Sequence, residues 1–176
     1  MNFEKGIARD NNLEKKLKKD YTVAIIPARG GSKSIPKKNI KLLNNKPLIY
    51  YTIKDAQETS QIQAVYVSSD NEEILEISQE FGSNIIKRPI SISGDIVMPD
   101  AAIMHALLNI MENKGFLPEY TVMLQPTSPL RETKTINKVI KKIKTKKYNS
   151  VISVVKTHHL FWEKNNDSDD IWVSNY

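Results

Sequence analysis

The stretch YTVAIIPARGGSKSIPKKNI, Tyr21 to Ile40, decides how the rest of the chain is read. Its first seven residues form a short apolar, β-branched run closed by Pro27, the pattern of a buried strand. The residues that follow are chemically opposite. Between Ala28 and Lys41 stand five cations, Arg29, Lys33, Lys37, Lys38 and Lys41, with no acid among them. Gly30 and Gly31 permit φ > 0 and a close backbone approach to a ligand. Pro36 fixes its own φ and holds Ile35 extended, so the lysines after it are aimed. Like charges in a constrained turn repel unless an anion neutralises them, and the loop reads as a cradle for a polyanion such as a triphosphate. A solvated lysine loop with a glycine turn is the competing reading. Neither G-x-x-x-x-G-K-[ST] nor G-x-G-x-x-G matches the spacing.

Outward from this loop, strand and helix patterns alternate. Helical patterns run Lys46–Ser60, Asn71–Gly82, Pro99–Gly115 and Glu132–Lys147, with Pro47 and Pro99 at starts and Gly82 and Gly115 at ends. Strand patterns run Gln63–Asp70, Asn84–Pro89, Glu119–Pro126 and Asn149–Lys156. The alternation predicts an α/β fold, a mostly parallel sheet with helices on both faces. In such sheets ligands sit beyond the carboxyl ends of the strands. The loops after Pro27, Ser68, Lys87 and Gln125 are therefore the ones to search for chemistry. Residues 1–20 read as a charged N-terminal arm and 21–176 as one domain.

The bulk properties narrow the class. The chain has 176 residues, 40% apolar and 26% charged, which suits one globular domain. No window approaches the ~18 apolar residues of a membrane span, and the first twenty residues lack an apolar signal region. Cysteine is absent, so disulfides and thiolate metal sites are excluded, and a cytoplasmic location is expected. The net charge of +6 favours anionic partners without choosing among them. Seven lysines between Lys134 and Lys147 alternate with Ile136, Val139, Ile140 and Ile143. That is the solvated face of an amphipathic helix, and no stacking aromatics accompany it, so nucleic acid is not the expected partner.

Each remaining loop carries two readings. Gln125, held extended by Pro126, places its amide at a strand mouth for a substrate; Ser128 and Pro129 beside it fit a helix N-cap and first-turn proline. Asp70 with Glu73 fits a capping box. Arg88, extended before Pro89, reaches the same crevice or stays at the surface. His158 and His159 are strand neighbours pointing to opposite faces, a poor chelate for one metal. Asp167 and Asp169 form a D-x-D suited to a hard cation, within a turn-like composition.

Taken together, IPARGGSKSIPKKNI, VSSD, KRP and LQPTSPLR, in that order and spacing, resemble the acylneuraminate cytidylyltransferase family, the CMP-sialic acid synthetases and their relatives. The resemblance runs from about Tyr21 to Trp162. It implies a Rossmann-like nucleotidyltransferase fold, CTP as donor, Mg²⁺ as cofactor and a homodimer. The implied acceptor is a nine-carbon 2-keto sugar acid, sialic acid or a related nonulosonate. Its anomeric hydroxyl attacks the α-phosphorus of CTP and pyrophosphate leaves. Matched motif to motif, Ala28, Arg29, Ser32, Lys38 and Asn39 would contact the triphosphate and nucleotide, with Arg29 and Lys38 as the catalytic cations. Arg88 would also serve the nucleotide, and Gln125 would face the sugar acid.

Family members continue past Tyr176, through dimer contacts, further sugar-binding residues and a late acidic pair that holds the metal. The metal ligands of this chain are accordingly unassigned. Pro99 stands where many relatives carry a serine near the base, and that contact is not carried over. Kdo cytidylyltransferases lack the GGSK form of the loop and sugar-1-phosphate pyrophosphorylases carry G-x-G-T-R, so both fit less well. The alternative from another class is a non-catalytic or partner-completed CTP-binding module.

Overall fold

Neighbouring side chains on a strand point to opposite faces, so a run with no exposed member needs cover on both sides. Val23, Ala24, Ile25 and Ile26 are each 0% exposed. They lie within the first strand of a computed structural model that describes residues 16–32, 35–94 and 97–154, together with the strands at 162–164 and 172–174. In chain order the elements are β1 (Leu17–Pro27), β2 (Leu42–Leu43), β3 (Lys46–Pro47), α1 (Leu48–Glu58), β4 (Ala64–Ser69), α2 (Glu72–Glu80), β5 (Asn84–Lys87), α3 (Pro99–Lys114), β6 (Leu117–Met123), α4 (Thr133–Lys144), β7 (Trp162–Lys164) and β8 (Trp172–Ser174). Two 3-10 turns, Lys38–Ile40 and Ile90–Ile92, sit in the loops after β1 and β5.

The main sheet has the order β5-β4-β1-β6, and all three of its strand pairings are parallel. Ala24 and Ile26 pack on one face with Ile49, Ile53 and Ala56 of α1, Ile74 of α2, and Ile136 and Ile140 of α4. Val23 and Ile25 pack on the other with Ala106 and Ile110 of α3. The expected sheet covered by helices on both faces is therefore present. The lysines of α4 flank a buried Ile136–Ile140 stripe, as its amphipathic pattern requires. From β1 the chain runs outward to β4 and β5, then returns to β6 on the opposite side of β1. That reversal opens a crevice at the carboxyl ends of β1 and β6.

Local signals explain most boundaries. Pro99 begins α3, where its missing N–H costs nothing, and Gly115 ends it at φ 76°, donating its N–H to the Met111 carbonyl at 2.9 Å. Asn71, not Asp70, caps α2: its side chain accepts from the Ile74 N–H at 3.0 Å. The Asp70–Glu73 capping box is thereby corrected. Ser128 does not cap α4 either, since that helix starts at Thr133 with Glu132 before it.

Two boundaries shift. Strand β1 starts at Leu17, inside the stretch assigned to the arm, because Leu17 pairs with Leu117 across an irregularity before Thr22. The strand predicted at Asn149–Lys156 is not formed over its described residues, 149–154. Ile152 and Val154 are each 80% exposed, so their alternation has no buried face to fix a register. Strands β7 and β8 pair antiparallel, Trp162 opposite Ser174. His158, His159, Asp167 and Asp169 lie outside the described residues. Among the described residues no helix is long and apolar enough to cross a membrane.

Candidate functional site

At the crevice lies a cavity of about 330 Å³, within the ordinary size of a small-molecule site. The loop after β1 contributes Arg29, Ser32, Lys38 and Asn39 to its wall, the loop after β5 contributes Arg88, Ile92, Ser93 and Gly94, the start of α3 contributes Pro99 with Val97 and Met98 before it, and the loop after β6 contributes Gln125, Pro126 and Thr127. Six of the seven residues named from sequence thus meet at one place. Ala28 does not line the cavity. Its side chain is 1% exposed in the core, and its N–H extends the sheet by donating to the Ser68 carbonyl at 2.9 Å.

The geometry of the glycine-lysine loop differs from the sequence expectation. Neither Gly30 nor Gly31 has positive φ; the left-handed residue in the described part of the loop is Lys37, at φ 52°. Gly30 is required for space. A Cβ on it would lie 2.8 Å from the Asn71 Cβ, while one on Gly31 would meet nothing within 4 Å. The loop is pressed against the start of α2, where the Gly30 N–H donates to Asp70 Oδ1 at 3.0 Å. Gly30→Ala should therefore force the loop away from Asn71. The expected loss is about 1–3 kcal/mol of stability, with Gly31→Ala near neutral, checked by paired thermal melts.

Asn39 is 5% exposed and donates from Nδ2 to the Arg29 carbonyl at 2.9 Å, which holds the loop closed over ten residues. Of the five cations, Arg29 and Lys38 line the cavity. Lys37 turns away to pair with Glu73 at 2.6 Å, Lys41 is exposed and outside the lining, and Lys33 lies outside the described residues. Among the described residues the loop therefore gives the cavity two of its cations, joined by a third from elsewhere.

That third cation is Arg88, only 6% exposed, which removes the surface-arginine reading. Its N–H extends the sheet to the Ser69 carbonyl at 2.7 Å, so the strand itself aims the side chain. The guanidinium donates from Nε to Ser93 Oγ at 3.0 Å and faces Asp70 Oδ1 at 3.7 Å, an ion pair beyond hydrogen-bond length. Burial lowers the Arg88 pKa from the ordinary arginine value; Asp70 opposes the shift and the neighbouring Arg29 adds to it. Two guanidiniums close enough to repel, one of them desolvated, are the arrangement expected where an anion is to be held.

Gln125 is exposed at the rim, and its carbonyl accepts from Arg131 Nη2 at 2.9 Å and from Thr52 Oγ1 at 3.5 Å. With its backbone so anchored, Gln125 lines the cavity. Burial lowers the Arg131 pKa against the opposing charge of Asp55, and burial raises the pKa of Asp55. Sequence reasoning pointed to the loop after Lys87 but named none of Ile92, Ser93, Gly94, Val97 and Met98 in its wall, nor the tie through Asp70. The 3-10 turn there has no periodicity, although its position after a strand end was a usable signal. Among the described residues no group of three or more His, Asp or Glu side chains could hold a metal ion. Asp70 Oδ1 already accepts from Gly30 and faces Arg88, so the described residues assign no Mg²⁺ ligand.

A cytidylyltransferase family model matches residues 23–172. The N-acylneuraminate cytidylyltransferase of Escherichia coli is 35% identical over 137 residues, covering 77% of this chain and 32% of that protein. The CMP-N,N'-diacetyllegionaminic acid synthase of Legionella pneumophila is 33% identical over 121 residues, covering 67% of this chain and 51% of that protein. A solved structure of CMP:2-keto-3-deoxy-manno-octonic acid synthetase complexed with CTP matches with a TM-score of 0.60 at 20% identity, over 71% of this chain and 48% of that one. This last likeness is one of fold. The chain spans between about a third and about half the length of the relatives it matches.

Proposed function

The chain belongs to the cytidylyltransferase family, and from that premise we propose that its cavity seats CTP for transfer of CMP to a 2-keto sugar acid of the sialic or legionaminic class. The hydroxyl oxygen of the acid bonds to the α-phosphorus, the bond from that phosphorus to the bridging oxygen breaks, and pyrophosphate leaves as the hydroxyl gives up its proton. The observation that carries this reading is the convergence of Arg29, Lys38 and Arg88 with Gln125 on one cavity beyond the strand ends. Phosphoryl transfer asks for positioning and charge neutralisation more than covalent chemistry, and three convergent cations supply both. Gln125 at the rim, with an amide that donates and accepts, suits a hydroxylated acceptor. The names of the E. coli and Legionella relatives point to nine-carbon keto acids.

A second reading, a CTP-binding module without turnover, is favoured by the lack of a carboxylate cluster among the described residues. One experiment separates the two. The chain is incubated with CTP, Mg²⁺ and a panel of nine-carbon keto acids, and pyrophosphate is followed. Release that needs both CTP and one of the acids is the expected result. Calorimetric CTP binding without release supports the module, and absence of binding overturns both. The homodimer implied by the resemblance is checked by sedimentation of the same sample.

A further inference from the structure

Asp70 is an acid placed where an anion site should not want one. It stands 20% exposed at the end of β4, between the loop after β1 and the loop after β5. Its Oδ1 accepts from the Gly30 N–H at 3.0 Å and faces Arg88 Nη2 at 3.7 Å. The helix-capping duty its sequence context suggests belongs to Asn71. By Coulomb's law alone a carboxylate here weakens the binding of a triphosphate. Its placement is accounted for if it does something for the cations that outweighs its own repulsion. Arg29 and Arg88 repel one another, and Arg88 is held out of water with Ser93 as its other side-chain partner among the described contacts.

We propose that Asp70 is a positioning residue of the nucleotide site: one oxygen fixes the Gly30 amide and the Arg88 guanidinium together, so that two loops present their cations as one surface. The proposal rests on the CTP reading above. It makes a prediction opposite in sign to simple electrostatics. Asp70→Asn keeps the shape and an acceptor for Gly30 but removes the charge that steadies Arg88. An acid that merely opposes the nucleotide gives tighter CTP binding when neutralised. A positioning acid gives weaker binding.

The test is calorimetric CTP affinity of the full chain and of its Asp70→Asn and Asp70→Glu variants, with thermal melts alongside. The Asn variant is expected to bind CTP about tenfold or more weakly, the scale of one hydrogen bond to a charged group, and Asp70→Glu to recover part of the loss. A purely structural role lowers the melting temperature and leaves the affinity of the folded protein unchanged. Unchanged or tighter binding by the Asn variant overturns the proposal. If that variant does not fold, the Glu variant carries the same test, with weakened binding expected. A wild-type chain that ignores CTP overturns the function reading instead. The tie is then read without nucleotide: hydrogen exchange at the Gly30 amide should quicken in Asp70→Ala, and unchanged exchange refutes it.

Discussion

Arg29→Ala is expected to lower CMP transfer by about 10²–10³-fold while the chain remains folded. The size follows from the chemistry: the barrier falls chiefly through charge stabilisation on phosphate oxygens, and one well-aimed donor is worth about 2.7–4 kcal/mol in the transition state. Retention of the fold follows from where Arg29 sits. The apolar core around β1 ends at Ala28, just before Arg29, and the main-chain carbonyl of Arg29, which accepts from Asn39, is untouched by the substitution. Truncation also relieves the repulsion on Arg88. Steady-state kinetics with a thermal melt check both halves, and near-normal CMP-sugar synthesis removes Arg29 from the mechanism. A loss confined to KM would instead make it a ground-state ligand.

The sequence made the fold legible where the physics is local. The run Val23–Ile26, β-branched and closed by Pro27, reads as a doubly covered strand, Pro99 and Gly115 mark the ends of α3, and the lysine–isoleucine pattern gives α4. It was less informative where a residue's partner is distant in the chain. Gly30 is a glycine because Asn71, forty-one positions on, lies 2.8 Å from the Cβ it lacks; no turn rule contains that information. Asp70 precedes a helix and so imitates a cap, yet its partners come from the loops after β1 and β5. Lys37 belongs to a cationic run but answers to Glu73 on α2. Charge counting therefore pointed to the crevice but did not separate the lining cations Arg29 and Lys38 from Lys37 and Lys41. Ala28 fell inside the motif for the same reason: adjacency in sequence does not reveal that its N–H is spent on Ser68.

Arg88→Met separates function from stability in the opposite way to an ordinary core substitution. Arg88 is 6% exposed, and losing a buried residue's contacts normally destabilises. Here three effects compete. Methionine retains most of the stem volume, which limits the packing loss to about 1.5 kcal/mol or less. Removing the guanidinium leaves Asp70 without its countercharge, but that carboxylate keeps the Gly30 N–H and 20% exposure to water. Against these losses stands the relief of a desolvated cation beside Arg29. Burial lowers the folded-state pKa of Arg88 below its unfolded value, so the charged group destabilises the fold at every pH below that folded value. Because a guanidinium stays protonated over the accessible pH range, that burden does not change with pH. Replacing a whole buried ion pair by apolar groups is often neutral or stabilising, and here the acid left behind, Asp70, keeps water and the Gly30 N–H. The expected result is a melting temperature within a few degrees of wild type, with ΔΔG about ±1 kcal/mol. Catalytic efficiency should fall about 10²–10³-fold, as for loss of a preorganised phosphate donor. Arg88→Lys should recover little, because an ammonium on a shorter planar-less stem cannot keep both Ser93 and the cavity in reach. A Met variant that unfolds readily yet, when folded, makes CMP-sugar at the wild-type rate would show the opposite: an arginine kept for the fold, with the anion held by others.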